Sequence, residues 1–301
     1  MKKFLTGLFA ILVLTTVFAA AEVKASDNIG LTVGVDYWST YLWRGQYLFG
    51  DQQGWFFPYA SFEPLEGLLI GVSGEINSTW PGSKSEEPEY NGFQKNNNAF
   101  DAGIDYSYAA EGLLTARVGL WYYRTKERFF SFASGYIGLD FDMVSFITPF
   151  VRVTADYYTG TGKWEDKYGI MGGFPGDKYN YKDMSDGSSN RTDLYLQAGL
   201  KKEIEITKDV AGIDFGAVVG YARYRAWGEK INDISDIDLY VNATVNYGAA
   251  TFAGGFHYVI VPGKQFKYGS PITETTFMTG AYDGEKDIHR FYATFGASYS
   301  I

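Results

Sequence analysis

Side chains able to carry out chemistry are sparse in this chain of 301 residues, which has no cysteine and two histidines, His257 and His289. Without cysteine there is no disulfide, thiolate nucleophile or Cys-ligated metal, and two histidines are too few for a His-rich metal site. Carboxylates and an imidazole occur in an Asp-Ile-Asp sequence at 236–238 and an Asp-Ile-His sequence at 287–289. Such groups activate water when they face one another, so the elements that position them decide whether they could react.

The composition favours strands as those elements. The chain contains 25 Tyr, 23 Phe and 36 Gly but 8 Pro, a mixture typical of many strands joined by tight turns. Acidic residues outnumber basic residues by 35 to 26, and the resulting net charge of −9 would repel phosphate backbones. Nucleic acid is therefore not an expected partner.

The N-terminal segment has the features of a secretory signal peptide. Lys2 and Lys3 precede an apolar run over residues 4–18, and small residues follow, with cleavage fitting after Ala21 or Ala25. Cleavage after the second of these sites removes three lysines and one glutamate, so the net charge changes from −9 to −11. An uncleaved membrane anchor is the alternative, but the run is short for a spanning helix, and no later stretch approaches about 18 apolar residues.

The remainder, residues 26–301, is predicted to be a single domain of alternating strands. Apolar and polar residues alternate with period two over segments of about ten residues, the length of a tilted strand that crosses a bilayer. The second segment is too aromatic on both faces to orient, and Pro149 predicts a bulge in the seventh. The twelve segments lie at 29–38, 55–63, 68–77, 100–107, 114–122, 136–141, 147–157, 194–203, 213–225, 236–247, 250–261 and 288–301.

The connections between these segments alternate between short turns and long loops. The short turns lie at 64–67, 109–112, 142–145, 206–212 and 247–249. The long loops lie at 44–53, 79–98, 125–131, 159–191, 226–235 and 262–286. This order predicts an all-β fold, a transmembrane antiparallel up-and-down β-barrel of about twelve strands with both termini periplasmic. A soluble β-sandwich is the alternative, but its exposed faces would need to be polar, whereas nearly every segment carries an apolar face.

The C-terminal segment favours membrane insertion. Its alternate residues form an unbroken apolar face that includes Phe291, Phe295, Tyr299 and Ile301. Such a terminus resembles the sorting signal that barrel-assembly machinery reads on outer-membrane proteins, although that signal most often ends in Phe. The expected partners are therefore this machinery and the lipid and lipopolysaccharide of the outer membrane of a Gram-negative bacterium.

The first predicted hairpin carries a motif at Tyr41, Trp43, Arg44 and Gly45. With the segments that follow, it resembles the opening of a family of predicted Gram-negative outer-membrane β-barrel proteins, in which a Tyr-x-aromatic-Arg-Gly element ends the first strand. The resemblance covers about 50 residues and implies the compartment and the fold, but no activity, because the family has none assigned. Arg44 falls on the lumen side at the outer rim, where it would act as a structural clamp or contact a solute.

The barrel prediction argues against an enzyme. Outer-membrane phospholipases have a His-x-Ser pair, but Val or Phe stands two places after each histidine here. Omptin-type proteases have fewer strands and place an Asp pair opposite an Asp-His pair, whereas alternation here turns Asp236 and Asp238 inward and His289 outward. We therefore predict no catalytic residues, no cofactor and no metal site, and we interpret His257 as a hydrogen-bonded residue of the inner wall.

The inward positions of the segments predict an acidic lumen. The acids are Asp36, Glu75, Asp101, Asp105, Asp140, Asp156, Glu203 and Asp238, and the bases are Arg117, Arg152 and Lys201. Pairing would cancel part of this excess, because Arg117 lies one segment from Asp101 and Asp105, and Arg152 shares a strand face with Asp156. The remaining negative field would favour cationic or neutral polar solutes. The inward aromatic residues Trp38, Trp121 and Tyr136 would fill the barrel wall, which is the commoner role of such residues, or stack on a sugar or a nucleoside.

Two functions follow from these features. The first is a narrow diffusion channel for small polar or cationic solutes, since twelve strands enclose less space than the roughly sixteen to eighteen of a wide pore. The second is a closed barrel that acts in adhesion, surface interaction or outer-membrane structure through the long loops at 79–98, 159–191 and 262–286.

Overall fold

The computed structural model describes most of the predicted strands and turns. It covers residues 30–39, 42–43, 46–47, 54–77, 99–125, 131–144, 146–159, 163–166, 177–180, 192–224, 231–262 and 288–301. The predicted signal peptide, the motif residues Tyr41, Arg44 and Gly45, and most of the long-loop residues lie outside these ranges. Among the described residues there is no helix whose length and hydropathy would let it span a bilayer.

The described elements are all strands. They are β1 (Leu31–Trp38), β2 (Leu42–Trp43), β3 (Gln46–Tyr47), β4 (Trp55–Leu65), β5 (Leu68–Asn77), β6 (Ala99–Ala110), β7 (Leu114–Thr125), β8 (Phe132–Asp140), β9 (Thr148–Tyr158), β10 (Lys163–Asp166), β11 (Asp177–Asn180), β12 (Thr192–Thr207), β13 (Ala211–Tyr224), β14 (Ile231–Tyr247), β15 (Ala250–Val261) and β16 (Ile288–Ser300). Twelve of them close into one antiparallel barrel, in the order β1-β16-β15-β14-β13-β12-β9-β8-β7-β6-β5-β4. The predicted all-β antiparallel barrel of about twelve strands is therefore confirmed.

The four shorter strands form two separate two-stranded sheets. One pairs β2 with β3, and the other pairs β10 with β11. Both hairpins belong to connections at one end of the barrel, which we call the loop end. The opposite end, where the short turns lie, is the turn end.

The first and last barrel strands close the cylinder. β1 pairs with β16 from Thr32 opposite Ser300 to Trp38 opposite Thr294. The amide of Ile301 donates to the carbonyl of Leu31 at 2.7 Å, so both ends of the barrel sequence lie at the turn end. Closure gives each of the twelve barrel strands two neighbours, which removes the unpaired edge that an open sheet would expose.

Two local predictions are wrong. Pro149 causes no bulge, because the register between β9 and β12 continues unbroken past the pair of Pro149 and Leu200. β14 begins at Ile231, although the sequence pattern starts this strand at 236. A bulge between β13 and β14 explains the second error: Tyr221 pairs with Ile234 and Gly220 with Asp236, so Ser235 is an extra residue and the period-two pattern breaks there.

The outward faces of the strands are apolar and accessible around the cylinder. Leu120 on β7, Ile137 on β8 and Phe291 on β16 are 58%, 65% and 78% exposed. The structure also orients the second segment, since Trp55 is completely buried on the inner side while Phe56 is exposed. An apolar outside around a polar inside is the reverse of a soluble sandwich, and it is the distribution that a bilayer requires.

We expect Leu120→Arg to lower the free energy of unfolding by about 2–4 kcal/mol, because the charge would enter hydrocarbon near the middle of β7. The matched control is Leu113→Arg in the β6–β7 turn, where the exposed side chain lies at the barrel end and the cost falls to about 0–1 kcal/mol. Urea unfolding of protein refolded into lipid vesicles measures both. If both substitutions lower the free energy of unfolding by the same small amount, then water, and not lipid, covers the outer face.

Candidate functional site

A cavity of about 480 Å³ lies inside the barrel. Its lining comes from strands around the cylinder, including Trp38 on β1, Trp121 on β7, Gln197 on β12 and Tyr292 on β16. We call this space the lumen cavity. Its volume falls within the roughly 300–1,000 Å³ typical of small-molecule sites, so the inner wall around it is the candidate functional site.

Inward aromatic rings lie flat against glycines on neighbouring strands. A Cβ atom at Gly103 would collide with the indole of Trp121, and one at Gly119 would collide with the ring of Tyr136. The register places each ring directly opposite its glycine. Because glycine has no side chain, each ring can lie against the backbone of the neighbouring strand. These two aromatic side chains therefore lie along the inner wall and do not project into the centre of the lumen.

Asp105 is held by two of these rings. The Trp121 Nε1–H donates to one carboxylate oxygen at 2.9 Å, and the Tyr136 hydroxyl donates to the other at 2.6 Å. The guanidinium carbon of Arg152 lies 4.9 Å from the centroid of the Tyr136 ring. The two hydrogen bonds and this cation–π contact fix the orientation of a carboxylate, an indole, a phenol and a guanidinium at the cavity.

Asp140 is the centre of a charged triad closer to the turn end. Lys201 approaches the carboxylate at 3.0 Å and Arg117 approaches the same oxygen at 3.2 Å. Arg117 thus pairs with Asp140 instead of the predicted Asp101 or Asp105. Arg117 lies opposite Ser107 and Gly138, so Asp105 and Asp140 are each two positions from a residue paired with it. Asp105 already accepts hydrogen bonds from two aromatic side chains, and Arg117 binds Asp140.

The opposite wall contains a stacked histidine. His257 Nδ1 lies 3.0 Å from a carboxylate oxygen of Asp238, and its ring stacks on Tyr292 at 4.4 Å with an 11° interplanar angle. The ring of Tyr240 stacks on His257 at 5.7 Å. His289 lies on the outer face, where its Nδ1 is 2.6 Å from the Tyr258 hydroxyl. The two histidines therefore lie on opposite sides of the wall.

Towards the loop end the inward side chains are tightly packed. Tyr195, Ala222, Tyr224 and Val261 form a buried cluster on β12, β13 and β15, which we call the loop-end cluster. The Tyr195 hydroxyl donates to Asp236 at 2.9 Å, which is how this carboxylate is accommodated in a buried position. Tyr195 also lines the lumen cavity, so the cluster adjoins the cavity on one side of the barrel.

The other predicted lumen residues occupy further positions on the inner wall. Asp101 is buried on β6 and accepts a hydrogen bond from Ser73 at 3.2 Å. Asp156 is buried and lies directly opposite Asp193. The rest are Glu75, buried on β5, Asp36, opposite Gly296, and Glu203, opposite Asp214 near the turn end. The structure thus brings part of the predicted set together in three groups, around Asp105, Asp140 and Asp238.

Sequence reasoning missed some inward residues. The register adds Asp193 and Asp214 to the acids and Arg290 to the bases. Alternation could have identified two of them. Asp193 lies an even number of residues before the inward Lys201, and Arg290 directly precedes the outward Phe291, so both are predicted to point inward. Acidic groups still outnumber basic groups along the described inner wall. Within the described residues, no group of three or more His, Asp or Glu side chains is arranged to hold a metal ion.

The residues of the predicted insertion signal lie on the outer face of the last strand. Phe291, Phe295 and Tyr299 pair with Tyr258, Gly254 and Ala250 of β15, and Phe291 and Phe295 are exposed. Ile301 follows β16 and pairs with Leu31 through the backbone. The side chains are therefore available on the surface that lipid would cover.

Solved structures of outer-membrane proteins align with most of this chain at low sequence identity. The NanC porin structure aligns over 90% of this chain and 100% of its own length, with 11% identity and a TM-score of 0.49. The KdgM porin aligns over 90% and 99%, with 7% identity and a TM-score of 0.45. An outer-membrane channel from Pseudomonas putida F1 aligns over 93% and 100%, with 10% identity and a TM-score of 0.46. No protein-family model and no curated protein sequence matches the chain.

Proposed function

We propose that the mature chain is an outer-membrane barrel that acts as a narrow diffusion channel for small polar or cationic solutes. The observation that carries this proposal is the lumen cavity, a space inside the barrel that carboxylates and aromatic rings from strands around the cylinder line. A polar interior behind an apolar exterior is the arrangement of a passage across lipid.

The charges on the wall support a preference for cations. Asp105 and Asp236 accept hydrogen bonds from the neutral donors of Trp121, Tyr136 and Tyr195. Neutral donors leave the carboxylate charge in place, and a low-dielectric wall focuses the resulting field on the lumen. The Asp140 triad, by contrast, contains two cations for one carboxylate, so the preference is strongest on the loop side of that triad.

The route of export gives the barrel its orientation. The predicted signal peptide would deliver the chain to the periplasm, where barrel-assembly machinery would read the apolar face of β16. The turn end would then face the periplasm and the long loops the exterior, with lipid and lipopolysaccharide around the outer face. The resemblance at residues 41–45 is consistent with this compartment. The proposed role requires no catalytic residue.

The loop-end cluster favours a second candidate, a closed barrel that works through its long loops in adhesion or as a structural protein. Its four side chains are at most 7% exposed, so packing of this kind around the full circumference would seal the barrel. The two candidates make opposite predictions about permeation.

Planar bilayers distinguish the two functions. We expect single-channel steps with purified protein, and a reversal potential in a salt gradient with the sign of cation preference. A protein inserted in the bilayer that carries no current at any voltage would exclude the channel and leave the closed barrel. Deletion of the loop at 159–191 is a second test, since permeation would persist or increase in a channel, whereas binding would be lost in an adhesin.

A further inference from the structure

We propose that the lumen cavity is a binding site for a neutral sugar and that Trp121 is the platform on which the sugar ring stacks. This inference names the solute class of the proposed channel and therefore rests on that function for its biological role. The binding site itself depends only on the geometry of the cavity, which allows the two to be tested separately.

Trp121 is positioned as a platform before any ligand arrives. One side of the indole lies on Gly103 and reaches Gly71, where added Cβ atoms would approach the ring too closely. The Nε1–H hydrogen bond to Asp105 fixes the rotation of the ring in its plane. The indole also lines the lumen cavity, so it offers the cavity an immobilised apolar surface, the kind of surface that packs against the C–H face of a sugar.

Hydrogen-bonding groups surround this platform. Asp105 accepts from Trp121 and Tyr136, but a carboxylate offers about four acceptor positions, so hydroxyl donors have room to bind. Gln197 on β12 and Arg152 on β9 also line the cavity and supply donors. A sugar hydroxyl both donates and accepts, which matches a wall that carries both kinds of group.

The same wall disfavours other solutes. An acidic sugar would be repelled by the carboxylates of Asp105, Asp236 and Asp238, which all line the cavity. An organic cation would be attracted by these carboxylates, but one without several hydroxyl groups would leave the hydrogen-bonding positions of Gln197 and Arg152 unused. An apolar molecule would displace water from these polar groups and form no hydrogen bonds with them in return, which makes its binding unfavourable. A neutral molecule with many hydroxyl groups avoids all three penalties.

Two readouts test the site on purified, refolded full-length protein. Glucose and maltose are titrated against tryptophan fluorescence in detergent and against ion current in planar bilayers. We expect a saturable fluorescence change and a saturable block of current by at least one of these sugars. Glucuronate, choline and uridine serve as probes of an acidic sugar, an organic cation and a nucleoside. Equal or stronger responses to any of the three would overturn the assignment to neutral sugars.

Trp121→Ala is expected to weaken sugar binding by about tenfold, which corresponds to about 1.4 kcal/mol. The matched control is Tyr122→Ala, because this neighbour on β7 points to the outer face and should leave sugar affinity unchanged. If Trp121→Ala fails to fold, Gln197→Ala provides the second test, with the same direction of effect. Unchanged sugar affinity in whichever of these two variants folds would overturn the site.

The two proposals can fail independently. A channel that conducts but gives no sugar response in either readout would refute the sugar site and leave the proposed function intact. A fluorescence response without any conductance would refute the channel and leave the binding site. Absence of both conductance and a fluorescence response would refute both.

Discussion

Asp105→Asn combined with Asp238→Asn is expected to reduce the cation-to-anion permeability ratio of the channel by about tenfold or more. Both carboxylates line the lumen cavity, and a unit charge about 4 Å from a passing ion contributes about 4 kcal/mol at an effective dielectric constant of about 20. Asparagine is nearly the same size and retains a carbonyl oxygen that accepts a hydrogen bond. The barrel wall should therefore keep its shape while the charge is lost. Reversal potentials in a salt gradient measure the ratio.

The matched control removes the same number of charges far from the cavity. Asp142 and Asp209 are exposed residues at the turn end, and their joint replacement by asparagine should leave the permeability ratio almost unchanged because salt and water screen their charge. Equal effects of the two double variants would show that overall charge, and not the wall of the lumen cavity, sets ion selectivity.

Tyr195→Ala combined with Tyr224→Ala is expected to raise single-channel conductance severalfold. Both rings belong to the loop-end cluster and are at least nine-tenths buried. Their removal would open space on the inner wall beside the lumen cavity, which Tyr195 lines, and the passage of the proposed channel would widen. The cost is a less stable barrel, since large-to-small changes in a packed core lose about 2–5 kcal/mol each. Single-channel recordings and urea unfolding measure the two effects.

Tyr221→Ala is the control for this variant. Tyr221 lies on β13 between Ala222 and Gly220 but is exposed on the outer face, so its loss should not change conductance. If the double variant folds and its conductance equals that of the parent, the loop-end cluster is not the constriction.

Period-two alternation predicted much of this structure because it is a local property. In a strand, successive side chains point to opposite faces, so Ile104 and Leu120 could be assigned to the outside and Asp105 and Trp121 to the inside without knowledge of the fold. The alternation of short turns with long loops predicted antiparallel neighbours and the strand number. The extra Ser235 shows the limit of this reasoning, since one inserted residue in β14 interrupts the pattern and hides the start of the strand.

Contacts across the lumen wall could not be predicted in the same way. Asp140 meets Lys201 from a strand that is two positions away in the barrel, with β9 between them, and 61 residues away in the chain. The meeting depends on how far each strand is shifted along its neighbour, which alternation does not specify. Register alone does not choose the partner of Arg117, because Asp105 and Asp140 are each two positions from a residue paired with it. The hydrogen bonds that Asp105 accepts from Trp121 and Tyr136 separate the two acids, and they too come from neighbouring strands.

Sequence alone thus determined, for most of the strands, which face is apolar and which is polar, and that the sheet must close, because backbone hydrogen bonds must be satisfied within a bilayer. The aromatic second segment was oriented by the structure, since Trp55 is buried inside and Phe56 is exposed. Tertiary structure alone decided which inward groups touch. Register, the bulge at Ser235 and the glycines beneath Trp121 and Tyr136 bring residues from distant strands within a few ångströms of one another. The chemistry of the lumen depends on these short distances, and they are set by the stagger of the closed barrel.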